Sequence, residues 1–110
     1  MSKKIQVEQG SDNVFADLGL PNPEQRLAKA DLAIRISETI RSRRLTQTQA
    51  ARVLKIDQPK ISRLFRGQLS GFSTERLMYF LTLLGRDVEI TVKRAPRSRR
   101  QGHLRVIANA

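Results

Sequence analysis

LKIDQPKISRL, residues 54–64, places a proline two positions after an aspartate, within apolar spacing that otherwise marks a helix. Proline normally ends a helix, since it lacks an N–H and its ring clashes with the preceding turn. Here the pattern reads as a beginning. Asp57 is an N-cap whose carboxylate accepts from the orphan amides of the first turn and faces the positive end of the helix dipole. Gln58 is then the first helical position and Pro59 the second, where an N–H would have had no intrahelical partner. The spacing predicts a helix from Gln58 to about Arg66, stopped by Gly67, with Ile61, Leu64 and Phe65 pointing inward. Gln58, Lys60, Ser62, Arg63 and Arg66 are left on an outer face that is short, basic and rich in directional hydrogen-bonding groups.

Working outward, Thr46-Gln47-Thr48-Gln49 is a capping box for a short preceding helix. That helix is expected to bury Ala50, Val53 and Leu54, with Ala51 small enough to let a neighbour approach. Further upstream, Asn22-Pro23-Glu24-Gln25 starts a long helix running to about Arg43. Its expected core face is Leu27, Ala30, Ala33, Ile34, Ile36 and Ile40. Before it, Ser11 or Asp12 can cap a short helix carrying Val14, Phe15 and Leu18, with Gly19 as the left-handed exit. On the C-terminal side, LSGFSTERLMYFLTLLG predicts a helix capped by Ser73, with Phe72 stapled onto Leu77. Leu77, Met78, Phe80, Leu81 and Leu84 supply its apolar bulk before Gly85. DVEITVK then switches to a period of two, with Val88, Ile90 and Val92 on one face of a strand. The rest, RAPRSRRQGHLRVIANA, is expected to be disordered as far as Gly102.

Charge gives this layout a partner. Basic residues outnumber acidic ones by 21 to 10 in 110 residues, a formal charge of +11, which suits an anionic partner, nucleic acid or an acidic membrane surface. Residues 41–66 hold eight basic side chains against Asp57 alone, and the tail from Arg94 holds five arginines and no acid. Residues 1–40 and 67–93 are close to balance. The absence of cysteine excludes disulfides and thiolate metal sites. The opening MSKKIQVEQG has no apolar h-region, and no apolar run approaches the length of a bilayer span. A soluble, cytoplasmic protein is the expectation. Catalysis is not expected: the one histidine, His103, sits in the tail, the acids are scattered, and there is no HExxH, paired carboxylate or phosphate-cradling glycine loop. No cofactor is implied.

Two short helices joined by a few residues, the second with a hydrogen-bonding outer face, describe a helix-turn-helix. From about Ala30 to Gly85 the chain resembles the phage-repressor family of DNA-binding domains. Gln47, Ala51, Ile56, Ile61, Leu64 and the Arg66-Gly67 pair carry the resemblance. It departs from that family in two places. Lys55 stands where the turn usually has glycine, and Ile40 and Phe65 stand where a buried arginine–glutamate pair is common. The fold expected is an all-α, five-helix phage-repressor-like domain with a short C-terminal β-strand for dimerisation. It divides into an N-terminal extension (1–22), the DNA-binding domain (23–85), the dimerisation strand (86–93) and the basic tail (94–110).

Resemblance and side-chain chemistry together nominate Gln58, Lys60 and Arg63 as base readers in the major groove, with Pro59 and Ser62 closer cases. Gln47, Arg43, Arg44, Arg52 and Arg66 are assigned to phosphates. One such domain covers a half-site, so a homodimer on an inverted repeat in double-stranded DNA is expected. The strand carrying Val88, Ile90 and Val92 could pair with its copy in a second subunit, or within the chain with KKIQVEQ or HLRVIAN. From Ser11 to Lys93 the chain also looks like the HigA-like antitoxins and their relatives among XRE-class bacterial regulators. That resemblance implies a repressor of its own operon, with a RelE/HigB-type toxin as partner. Other readings are a stand-alone regulator and a non-specific nucleic-acid binder using the arginine tail.

Overall fold

The computed structural model describes residues 23–109. Within them the chain forms four helices: α1 (Pro23–Ser42), α2 (Gln47–Leu54), α3 (Gln58–Phe65) and α4 (Thr74–Leu83). The helix expected near Val14, Phe15 and Leu18 lies outside the described residues, as does the Asn22 cap. Among the described residues no strand forms.

The core is one cluster to which every helix contributes. Leu32, Ala33, Ile36 and Ile40 come from α1, Ala50, Ala51 and Leu54 from α2, Ile61 and Leu64 from α3, and Leu77, Phe80 and Leu81 from α4. Phe72, in the loop before α4, closes one side. Its ring meets that of Phe80 edge-on at 6.1 Å and 74°, the geometry that the aromatic quadrupole favours. Long α1 packs chiefly on α4, and α2 on α3, so the two short helices form a unit held against a helical frame. Ile40 is buried and Phe65 packs against the core half-buried, an apolar arrangement that needs no ion-pair desolvation.

The core face of α1 differs from the one expected. Ala28, Leu32, Ala33, Ile36, Thr39 and Ile40 are buried, whereas Leu27 is 67% and Ile34 50% exposed. The reason is angular. At 100° per residue, Leu27 stands about 180° round the helix from Ile36, so the apolar residues form two opposed stripes. Thr39 occupies the core face because its hydroxyl bonds back to the Arg35 carbonyl at 2.7 Å.

All four helices end in the same way. A residue at or just after the C-cap turns left-handed, and the next amide reaches back to the carbonyl five positions earlier. These bonds are Leu45 N to Ile40 O, Ile56 N to Ala51 O, Gln68 N to Arg63 O and Arg86 N to Leu81 O, at 2.9–3.1 Å. Gly67 and Gly85 take the left-handed position at no steric cost, but Arg44 (φ 56°) and Lys55 (φ 61°) take it with a side chain. Lys55 is the turn position anticipated from sequence; Arg44 is not.

Among the described residues, 86–93 form no ladder. Val88 packs half-buried against the core, while Ile90 and Val92 are 75% and 91% exposed. The tail returns to the body of the protein. Glu24, at the start of α1, bonds the His103 ring and accepts from the Leu104 amide at 3.3 Å. Those two contacts, the His103 bond above all, hold the Glu24 carboxyl below its ordinary pKa. Val106 packs on the core, and Arg86 donates to the Asn109 carbonyl at 3.3 Å.

The paired left-handed sites give a stability test. Lys55→Gly removes the Cβ strain and is expected to raise the free energy of unfolding by up to about 1 kcal/mol. Gly67→Ala, with open space around the added Cβ but φ +74°, is expected to lower it by about 1 kcal/mol. Urea denaturation checks both, and equal, same-sign shifts would contradict the assignment.

Candidate nucleic-acid interface

The local chemistry that starts α2 and α3 sets the geometry of the interface. At α2 the capping box is complete: the Gln49 amide donates to the Thr46 hydroxyl at 3.1 Å, and the Thr46 amide donates to the Gln49 side chain at 2.8 Å. At α3 the Lys60 amide donates to Asp57 Oδ1 at 3.0 Å, with Pro59 in the first turn. Asp57 thus acts as the cap that the sequence indicated, and the proline begins the helix. Beneath, Ile61 and Leu64 are fully buried, which fixes the rotation of α3 about its own axis.

That rotation decides what faces outward. Gln58 and Pro59 are exposed, and Lys60, Ser62 and Arg63 are half-buried. The Ser62 hydroxyl donates to Gln47 Oε1 at 3.2 Å. This bond joins the middle of α3 to the first residue of α2, so the two helices present one continuous edge. Ser62, expected from sequence to face a base, therefore makes a positioning contact, and Gln47 is oriented by it.

The arginines assigned to phosphates divide in two. Arg43 Nη1 donates to the Leu84 carbonyl at 3.2 Å, tying the end of α1 to the end of α4, where the helix dipole is negative. Arg66 donates to the Gln68 side chain at 3.4 Å, a pairing that no spacing rule in the sequence flagged. Arg44 and Arg52 are exposed, as Arg43 and Arg66 also are. The dimerisation set also separates, because Val88 is engaged with the core and only Ile90 and Val92 are presented to solvent. Among the described residues no cluster of histidine, cysteine or carboxylates could hold a metal, and no helix is long and apolar enough to cross a membrane.

The edge carries amide, ammonium and guanidinium groups, the side-chain types that hydrogen-bond base edges and phosphates in protein–DNA contacts. Comparison with known proteins agrees with the geometry. The profile of a family described as a helix-turn-helix domain matches residues 14–93. A solved structure described as an XRE family transcriptional regulator is similar at 44% identity and a TM-score of 0.75. The match covers 81% of this chain and 100% of that one. No curated protein matches the chain.

Replacing the cap tests how far the interface depends on it. Asp57→Ala leaves first-turn amides of α3 without their acceptor and is expected to cost about 1 kcal/mol of stability. Circular-dichroism melting would show the loss as a lowered Tm, and an unchanged Tm would refute the role of the cap.

Proposed function

The chain belongs to the helix-turn-helix family as an XRE-family transcriptional regulator, and we propose that it is a dimeric, sequence-specific repressor acting in the cytoplasm. The Ser62–Gln47 bond across the two short helices carries this reading, because it makes one edge of Gln47, Gln58, Lys60 and Arg63. With Ile61 and Leu64 locked underneath, that edge enters a major groove N-terminus first. Gln58 suits adenine, Lys60 and Arg63 suit guanine, and Pro59 offers apolar contact to a thymine methyl. Gln47, Arg44, Arg52 and Arg66 reach phosphates on either side, while Arg43 holds α1 to α4.

A second subunit completes the operator. Ile90 and Val92 are exposed on a segment with unused strand periodicity, and pairing with the same segment of a partner would cover them. Two reading helices related by a two-fold axis then address an inverted repeat, with half-sites about one turn apart. The likeness to HigA-like antitoxins supports a narrower role, autoregulation of an operon that also encodes a RelE/HigB-type toxin. No catalytic chemistry belongs to this reading. The tail arginines add affinity for any polyanion without adding sequence information.

Arg63→Ala is expected to cost about 1–3 kcal/mol of discrimination at one operator position, while Arg52→Ala weakens all sequences about equally. Binding measured across a set of single-base operator variants separates the two, and identical profiles would refute the reader assignment. Co-expression with the neighbouring reading frame tests the antitoxin role. A stable complex that suppresses RNase activity is expected, and a chain that purifies alone would leave a free-standing regulator.

A further inference from the structure

The second apolar stripe of α1 borders a groove. Leu27 and Ala30 form one wall, and Leu69 and Phe72, in the loop between α3 and α4, form the other. Arg26, Lys29 and Arg76 lie around it. Arg76 is held in place over the rings of Phe72 and Phe80, at 5.8 and 5.4 Å from their centroids. The groove is thus apolar within and basic around its edge, and Leu27 is largely exposed in it.

We infer that this groove receives the N-terminal segment of the same chain, residues 14–20, with Phe15 and Leu18 against Leu27, Leu69 and Phe72. Three observations lead there. First, Pro23, the first described residue, lines the groove, and 22 residues precede it in the sequence. Ala30 lies about 10 Å along the helix from Pro23, and the five residues from Leu18 to Asn22 span up to about 17 Å. Second, residues 11–22, SDNVFADLGLPN, combine apolar side chains at helical spacing with Asp12 and Asp17 and no basic residue. That charge complements Arg26, Lys29 and Arg76. Third, the family profile begins at residue 14, so this segment belongs to the same unit as the helices it would meet.

The consequence reaches the reading helix. The far wall of the groove is the loop that leads from the end of α3 through Gly67, so a seated segment braces the loop to which α3 is joined. The chain carries its own support for that loop.

The protein has no cysteine and no tryptophan, which makes site-specific probes unambiguous. Full-length Leu18→Cys/Ser70→Cys, oxidised and run on a non-reducing gel, is expected to give mainly an intrachain disulfide. The control Leu18→Cys/Asp31→Cys, at a similar height on α1 but outside the groove lining, is expected to give at least about five-fold less. Equal yields from the two pairs, or a cross-linked dimer from the first, would overturn the proposal, the latter by assigning the groove to a second copy. Full-length Phe15→Trp is expected to emit at the short wavelength of a buried indole and to shift to the red when Leu27→Asp is added. A solvent-like spectrum without that second change would overturn it as well. Neither readout involves DNA, so their failure would leave the regulatory reading standing.

Discussion

The burial of Ile61 and Leu64 is the constraint on which the rest of the structure depends. An eight-residue helix is too short to be stable alone, and α3 exists because its inner face is held. The small Ala50 and Ala51 on α2 let the two helices approach, and Leu54 fills the space beside them. Because those contacts lie on one side, they also determine which residues lie on the other. Packing and the proposed recognition are therefore two faces of one helix, and a change in the register of the first would scramble the second.

Much of this was legible in short-range chemistry. Asp57 with Pro59, Thr46 with Gln49, and Ser73 before α4 are caps whose partners lie three residues away, so their geometry follows from spacing alone. Gly67 and Gly85 likewise mark helix ends that the structure closes with the same bond pattern. The α1 core face was less legible, because Leu27, Ala30 and Ile34 satisfy a helical period as well as Leu32 and Ile36 do. Periodicity finds apolar stripes but does not say which one the core will take when there are two. Arg44 in a left-handed turn left no sign in the sequence, since arginine gives no signal for that conformation.

Contacts that bridge distant parts of the chain were not legible at all. Arg43 at the Leu84 carbonyl, Ser62 at Gln47, and His103 at Glu24 join residues 41, 15 and 79 positions apart, and no local rule connects them. Each has its own structural effect. The first fastens the frame, the second aligns α3 with α2, and the third brings the basic tail back along α1. The expected strand illustrates the opposite case. Its alternation is plain in DVEITVK, yet a ladder needs a partner, and Ile90 and Val92 stay exposed in the single chain.

The central claim is that the outer edge of α3, beside Gln47, is what meets DNA. Titrating the ¹⁵N-labelled full-length chain with duplex DNA from upstream of its own reading frame tests this most directly. The largest amide shifts are expected at Gln47 and from Gln58 to Arg66, with smaller ones at Arg44 and Arg52. Shifts confined to the tail beyond Lys93, with α3 unmoved, would contradict it.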